Sequence, residues 1–296
     1  MGPIVVIKGG LGNQLFQWTY AHSLSTEVGF YPSRFHYGHH DKIMNLELSE
    51  IFKACPHVLN HGALSPAREY VSHLAEWLWI KRLGKKAAES ILGYYQEDPR
   101  NNQEKRIGKD RTAWINSGYF QNNKYANDSK GAVQLEILPH AEKIAAELIE
   151  SKLIPRKYSV VHIRTGNYSS QSSLNPDFIG NLHERYFLEN LNKLKANYLI
   201  VLTENANHIT SLLNKIKPDL VLDSNNLNAW ETLATMTLSE SMIGSNSSLS
   251  WWGAKLASFN GTNNWLPDTW SIWDNIDSLD YRFTNLKVLE SQWRGQ

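Results

Sequence analysis

Apolar and polar positions alternate in blocks along the second half of the chain. Four short apolar runs are each followed by a longer segment whose apolar positions recur at helical spacing. The runs predict buried strands at 158–164, 198–203, 220–223 and 241–244. The segments after them predict helices at 184–195, 207–216, 230–239 and 250–257. Four β/α units in series predict a doubly wound parallel sheet, and such sheets bind ligands at the carboxyl ends of their strands.

The first half of the chain opens with the same kind of unit. An apolar run at 4–8 predicts a strand, a glycine loop follows it, and helical spacing over 14–28 predicts a helix. Further along, the pattern predicts helical segments at 66–90 and 139–152 and a strand at 112–118. We therefore expect an α/β protein of two Rossmann-like domains, with a boundary near Pro155 that gives domains of residues 1–154 and 155–296.

Composition narrows the class of protein. The 296 residues suffice for two domains, and 42% hydrophobic and 20% charged residues exclude a disordered chain. Lysine and arginine number 30 against 29 acidic residues, a formal charge of +1. This balance argues against a protein that follows a nucleic-acid backbone, so no nucleic-acid partner is expected.

The expected compartment is the cytoplasm. One cysteine, Cys55, excludes an internal disulfide framework, and the sequence has neither a signal-peptide pattern nor 18 consecutive apolar residues. The segment 70–86 combines tryptophans with lysines and arginine. It is interpreted either as a peripheral contact with the inner face of the membrane or as a core helix with a solvated basic end.

Tryptophan is unusually frequent, with 11 residues, and seven of them lie from Trp230 onward. Indole rings suit both sugar faces and protein cores. The core is the interpretation that packing favours.

Three polar constellations lie where strands are predicted to end. Gly10, Gly12 and Asn13 form part of a glycine loop between a strand and a helix, where free N–H groups suit an anion. The loop is not a dinucleotide fingerprint, because Leu15 stands where the third glycine would be. A turn without function is the alternative.

The other two constellations follow strands of the second half. His162 and Arg164 alternate onto one face of the strand at 158–164, and a fixed guanidinium suits a diphosphate leaving group. Asn246, Ser247 and Ser248 precede a helix, where they suit either its capping or a phosphate. A structural ion pair and a plain helix cap are the alternatives.

No metal site is expected. His36, His39, His40 and Asp41 lie close together in the sequence, but their spacing matches no defined zinc motif. The sequence also has no Asp-x-Asp pair to hold a divalent cation.

Four stretches together resemble the α-1,2-fucosyltransferases of glycosyltransferase family 11. They are residues 9–17, 118–125, 162–168 and 245–254, in the order of the family's motifs. The resemblance implies a GT-B fold, two Rossmann-like domains facing across a cleft. It also implies metal-independent, inverting transfer of L-fucose from GDP-β-L-fucose to the 2-hydroxyl of a terminal β-galactoside.

The resemblance assigns roles to individual residues. Arg164 and His162 match the family's His-x-Arg pair and are the expected catalytic residues, with Arg164 on the GDP diphosphate. The donor is expected to contact a further set: Gly10, Gly12, Asn13, Thr203, Glu204, Asn246, Ser247 and Ser248. The expected partners are GDP-fucose and an acceptor, either a β-galactoside oligosaccharide or a lipid-linked glycan, as in O-antigen assembly. Domain 1–154 is expected on the acceptor side, and domain 155–296 is expected to bind GDP-fucose. No cofactor or metal is implied.

Two departures from the family pattern leave an alternative open. Thr165 and Asn167 stand where the family generally has arginine and aspartate, so one positive and one negative charge are lost together. The alternative is an inactive or altered-donor homologue that binds a sugar nucleotide or glycan. The motifs do not identify the general base, and His36, His40 and Asp41 are candidates.

Overall fold

The computed structural model describes residues 2–24, 28–33, 66–81, 84–97, 114–164, 181–269 and 281–291. By its internal contacts the chain divides into two compact units, Met1–Ile137 and Leu138–Gln296. Each unit has its own parallel sheet.

The first unit is built on a four-stranded sheet. Its strands are β1 (Ile4–Ile7), β2 (Gly29–Pro32), β3 (Tyr94–Gln96) and β4 (Ile115–Ser117), in the order β2-β1-β4-β3 and all parallel. The described helices are α1 (Leu11–Leu24), α2 (Pro66–Ile80), α3 (Lys85–Ser90), α4 (Asn123–Asp128) and α5 (Lys130–Ala132), followed by a π-helical turn, Val133–Ile137.

Strand β1 is buried on both faces, which explains its unbroken apolar sequence. Ile4 and Val6 pack in one core cluster with Tyr31 and Ile115. Val5 and Ile7 point to the other face and pack in a second cluster, which includes Tyr20 and Phe120 of later segments. The alternation of side chains along the strand thus produces two separate cores in this unit.

A single buried amide ties the start of the glycine loop to β4. The side chain of Gln17 accepts the Lys8 N–H at 3.1 Å through Oε1. Its Nε2 donates to the carbonyls of Lys8 at 3.1 Å and Gly118 at 2.8 Å. Gly9 has φ +80°, a conformation that favours glycine, so the loop can turn directly into α1.

The second unit is built on a six-stranded sheet. Its strands are β5 (Ser159–Ile163), β6 (Leu199–Thr203), β7 (Leu220–Leu222), β8 (Ser241–Gly244), β9 (Asn263–Pro267) and β10 (Leu286–Leu289). They are parallel and lie in the order β7-β6-β5-β8-β9-β10, the doubly wound order of Rossmann folds. The described α-helices are α6 (Leu138–Ser151), α7 (Glu184–Leu188), α8 (Thr210–Ile216), α9 (Ala229–Thr237) and α10 (Ser248–Phe259).

The predicted fold class is confirmed, because both sheets are parallel and each belongs to its own compact unit, as in the Rossmann-like halves of a GT-B protein. The division between the units lies at Ile137/Leu138, earlier than the predicted 154/155. Helix α6 accounts for the difference, since it packs within the second unit: the rings of His140 and Trp230 lie 4.7 Å apart, edge to face.

Several predicted helices have different bounds. The segment 66–90 is two helices rather than one, and α1 begins at Leu11 because the Gly10 carbonyl already accepts the Gln14 N–H at 3.1 Å. The predicted helix at 184–195 ends at Leu188 and is followed by a short 3-10 turn, Leu191–Lys193. The predicted helix at 207–216 begins as a 3-10 turn, Ala206–Ile209.

The tryptophans of the second half belong to the core wherever the structure describes them. Trp230, Trp251, Trp252 and Trp265 are all buried, which confirms the packing interpretation for these four. Trp270, Trp273 and Trp293 lie outside the described residues.

Helix α2 has one buried side and one exposed side. Ala75 is buried, whereas Tyr70, Trp77 and Ile80 are 67%, 37% and 48% exposed. Contact of this face with a membrane stays a prediction. Among the described helices, none combines the length and apolar character needed to cross a bilayer.

Helix α10 packs so closely on α9 that position 253 has no room for a side chain. A Cβ on Gly253 would lie 2.6 Å from the Cβ of Met236. We therefore predict that Gly253→Ala lowers the free energy of unfolding by about 1–3 kcal/mol, measured by urea denaturation. The matched control is Gly131→Ala in α5, where a Cβ meets nothing within 4 Å and the gain in helix propensity raises stability by up to about 1 kcal/mol. Equal stabilities of the two variants would contradict this packing.

Candidate functional site

The candidate site lies at the switch point of the second sheet. After β5 the chain proceeds through β6 and β7 on one side, and then returns to place β8, β9 and β10 on the other side. Strands β5 and β8 are therefore the neighbours between which the winding reverses. Ligands of doubly wound sheets bind at this place, outside the carboxyl ends of the two strands.

His162 is a buried residue of β5, only 3% exposed. Its Nδ1 lies 2.6 Å from the hydroxyl oxygen of Ser250 in the first turn of α10. Burial lowers the pKa of the imidazole to about 4; Glu204 acts against this shift and Arg164 adds to it. At neutral pH His162 is therefore an uncharged group that joins β5 to α10.

Arg164 follows directly after β5 and is fixed at both ends. Its backbone N–H donates to the hydroxyl of Ser245 at 3.1 Å, across the switch point. Its Nη1 lies 3.5 Å from Oε1 of Glu204, and both side chains are about one-third exposed, at 34% and 36%. The guanidinium is thus held at the sheet edge, where an anionic ligand can reach it.

The Ser-Asn-Ser-Ser stretch forms the turn from β8 into α10. Ser247 is the N-cap residue with an extended backbone, φ −131° and ψ 133°, but its side chain makes no capping hydrogen bond. Its hydroxyl is buried and has no hydrogen-bond partner within the described residues. Asn246 beside it is 6% exposed. A helix N-terminus with an uncommitted hydroxyl is suited to binding phosphate oxygens.

Thr203 and Glu204 occupy the end of the neighbouring strand β6. Thr203 pairs in register with Ile163, so Thr203 and Glu204 lie beside the end of β5. The Thr203 hydroxyl is buried and unpartnered in the part of the chain that the structure describes. The Glu204 carbonyl accepts the Ser224 hydroxyl at 2.7 Å, which fixes the backbone of this loop.

The remaining predicted residues belong to the first unit. Gly10 is exposed, and its carbonyl accepts the Asn13 N–H at 2.9 Å. Asn13 Oδ1 accepts a hydrogen bond from Gln121 at 2.6 Å. Gly12 is buried in the first turn of α1. These residues lie together at the carboxyl end of β1.

The structure brings the predicted residues of the second unit together at one sheet edge. They are His162, Arg164, Thr203, Glu204, Asn246, Ser247 and Ser248. Sequence reasoning assigned no role to Ser245 and Ser250, which contact Arg164 and His162. Both lie in the serine-rich stretch 245–254, where the sequence alone does not distinguish one serine from another. Thr165, Asn167 and the candidate bases His36, His40 and Asp41 lie outside the described residues.

In the described residues, no group of three or more histidine, cysteine or acidic side chains is placed to hold a metal ion.

A parallel α/β unit with an arginine and a helix N-terminus at its switch point is an arrangement suited to binding an anion. The model of glycosyl transferase family 11 matches residues 4–272 of the 296. The chain therefore belongs to glycosyltransferase family 11, and the predicted family is confirmed. No curated protein matches the chain at a significant level.

The chain is similar to several solved structures at low sequence identity. A glycosyl transferase family 9 protein from Veillonella parvula is 12% identical with a TM-score of 0.48, covering 98% of this chain and 87% of that one. The E. coli ADP-heptose heptosyltransferase II is 9% identical at 0.48, covering 98% and 90%. POFUT1 in complex with GDP is 11% identical at 0.40, covering 86% and 94%.

The buried imidazole predicts a pH dependence of stability. The folded-state pKa of His162 is lowered from 6.5 to about 4. Between pH 6.5 and pH 4 the imidazole is therefore protonated in the unfolded chain and neutral in the folded chain. The free energy of unfolding therefore falls by up to about 3 kcal/mol as the pH drops from about 6.5 to about 4. His162→Gln removes this contribution and flattens the dependence, measured by urea denaturation at pH 5 and pH 7.

The control for this experiment is His208→Gln, at an exposed histidine of the same unit. It should retain the wild-type slope between the two pH values. If His162→Gln also retained that slope, the imidazole would not be buried in its neutral form.

Proposed function

We propose that the chain is an inverting galactoside α-1,2-fucosyltransferase that moves L-fucose from GDP-β-L-fucose to the 2-hydroxyl of a terminal β-galactoside. The observation that supports this most is the sheet edge where Arg164 and the uncommitted Ser247 hydroxyl flank the switch point, in a chain of family 11. A cation and a helix N-terminus together suit a diphosphate.

In the proposed reaction the acceptor hydroxyl attacks the anomeric carbon from the face opposite GDP. The new carbon–oxygen bond forms as the bond to the diphosphate breaks, and the electron pair leaves with GDP. Arg164 and the N-terminal turn of α10 stabilise the charge that develops on the leaving phosphate. A general base takes the hydroxyl proton, and none of the residues above is assigned this role.

His162 has a positioning role in this proposal rather than the catalytic one expected from the motif. Its ring lies within the unit, with Nδ1 directed at Ser250. A neutral imidazole at this place holds α10 against β5, and the backbone contact of Arg164 with Ser245 lies at the same junction. No step of the proposed reaction requires His162 to exchange a proton.

Arg164 also has an acidic neighbour that must yield to the donor. Glu204 lies 3.5 Å from the guanidinium. A diphosphate offers more negative charge and a bidentate geometry, so it can replace one contact of Glu204 with two of its own. Glu204 would then lie near the nucleotide, as the family motif implies.

The first experiment is an assay of the purified chain with GDP-fucose and a panel of β-galactosides in excess chelator. The expected result is GDP release with an α-1,2-linked fucosyl product, because the proposal places protein cations, not a metal, on the diphosphate. Saturable binding of GDP-fucose without turnover on any acceptor would favour the alternative, an inactive or altered-donor homologue. A requirement for added divalent ions would contradict the metal-free mechanism.

The role of Arg164 is tested by Arg164→Lys and Arg164→Ala. The lysine variant keeps a charge but loses the planar fork, and the alanine variant loses both. We expect turnover to fall by about 10² to 10³-fold in Arg164→Ala and less in Arg164→Lys, as for other groups that stabilise a developing charge. Arg185→Ala, at an exposed arginine of the same unit, is the control that should keep normal rates. Near-normal turnover of Arg164→Ala would remove this residue from the mechanism.

A further inference from the structure

A row of polar residues follows the strands of the first sheet at its carboxyl edge. Ser33 follows β2, Lys8 follows β1, Ser117 ends β4 and Glu97 follows β3. Because the sheet order is β2-β1-β4-β3, these four residues lie along the edge in that spatial sequence. The carboxyl edge is where parallel sheets bind their ligands.

The centre of this row is the switch point of the first sheet. From β1 the chain goes to β2 on one side, while β4 and β3 lie on the other side. Lys8 spans the reversal, since its Nζ donates to the Ser117 hydroxyl at 3.1 Å. The same ammonium lies 5.1 Å from the ring centroid of Tyr119. Lys8 and Tyr119 are both partly exposed, so a ligand can reach them.

Two carboxylates flank this centre. Glu97 Oε2 accepts the N–H groups of Tyr119 at 2.7 Å and Phe120 at 2.8 Å, which fixes the backbone that presents the Tyr119 ring. On the other side, helix α2 contributes Glu76, whose Oε1 accepts the Ser33 hydroxyl. Glu76 is 3% exposed, and its Oε2 has no hydrogen-bond partner among the described residues.

The electrostatic balance of the row shows why Lys8 depends on its acidic neighbours. Burial lowers the pKa of Lys8, and the charges of Glu76 and Glu97 oppose that shift. Burial likewise raises the pKa of Glu76, opposed by the Ser33 hydrogen bond and by Lys8. Each charge therefore stabilises the ionised form of the other.

The chemistry of the row indicates the class of ligand. Two carboxylates beside one ammonium give this row of four side chains and Glu76 a net negative charge, so the row differs from the phosphate-binding arrangement proposed for the second unit. Hydroxyl groups donate to carboxylates and accept from an ammonium, and the apolar face of a sugar ring packs on an aromatic ring. An uncharged polyhydroxyl ligand can contact the two partly exposed groups, the Lys8 ammonium and the Tyr119 ring, at once.

We propose that this edge of the first sheet is a sugar-binding subsite, in which Lys8 and Tyr119 contact the ligand and Glu76 positions Lys8. The subsite is defined without reference to the donor. Its place in catalysis rests on the proposed function, under which the bound sugar is the terminal residue of the glycan acceptor.

The test is direct binding of simple sugars to the full chain. Methyl glycosides of galactose, glucose, mannose and N-acetylglucosamine are titrated by saturation-transfer NMR, and GDP is titrated on the same samples. At least one glycoside should bind the wild type, and Lys8→Met should weaken its affinity at least about tenfold, the loss of a charge-assisted hydrogen bond. The matched control, Lys130→Met at an exposed lysine of the same unit, should bind the glycoside normally. Both variants should bind GDP normally.

Glu76→Gln tests the positioning role of Glu76. It also provides a second test of the subsite if Lys8→Met fails to fold. It keeps the shape of the side chain but removes one of the two charges, Glu76 and Glu97, that keep Lys8 protonated. The loss of glycoside affinity on the alkaline side should therefore begin at a lower pH in Glu76→Gln than in the wild type. A purely structural role would leave that limb of the pH profile in place.

Two results would overturn the subsite: no glycoside of the panel binds the wild type, or folded Lys8→Met binds as the wild type does. Glycoside binding that depends on Lys8 in a chain that does not bind GDP would uphold the subsite and contradict the proposed function. GDP binding without glycoside binding would do the reverse.

Discussion

The close approach of helix α10 to its sheet is the constraint on which the second unit depends. A Cβ at Gly244, the last residue of β8, would lie 2.5 Å from Leu266 and 2.9 Å from Ser250. Only a glycine leaves room for the helix to begin directly above the strand end. This approach brings Ser250 to His162, allows Ser245 to accept from the Arg164 backbone, and leaves Ser247 at the edge. The arrangement of these polar groups thus depends on the absence of a side chain at position 244, which lets α10 pack closely on the sheet.

Each of the two sheets places a polar contact across the point where its winding reverses. In the second unit the contact is made by the backbone of Arg164, while its guanidinium lies 3.5 Å from Glu204. In the first unit the contact is made by the ammonium of Lys8 itself, between two carboxylates. Under the two proposals, the same topology serves an anionic ligand at one edge and uncharged hydroxyl groups at the other.

Strands β5, β6 and β8 were predictable because their apolar runs are buried on both faces. The prediction of 241–244 matches β8, and those of β5 and β6 differ from the structure by one residue at their ends. Strand β9 was missed because Asn264 interrupts the apolar run; this asparagine is fully buried and donates to the Ala254 and Thr262 carbonyls. A polar residue whose partners come from the fold cannot be recognised as a core residue from spacing alone.

The candidate site was predictable only where a motif stands at the end of a strand. His162 and Arg164 met that condition, and the structure places both at the switch point. Their partners are distant in the sequence, since Ser250 lies 88 residues from His162. In the first unit, Glu97 likewise lies 22 residues from its partner Tyr119. Glu76 lies on helix α2, where the spacing of apolar residues does not distinguish it from an acidic residue on the surface. Such contacts are set by tertiary structure, and local sequence contains no signal for them.

Gln17 joins the glycine loop to the end of β4 through its own side chain. Its partners are the main-chain groups of Lys8 and Gly118, so the hydrogen bonds themselves do not depend on the side chains at those two positions. At position 17 the hydrogen bonds depend on the side chain itself, because it must accept one hydrogen bond and donate two with a side chain of one length. Glutamate lacks the donor, asparagine is shorter, and leucine offers neither. A substitution at position 17 would therefore leave three main-chain groups at the ends of β1 and β4 without their partner.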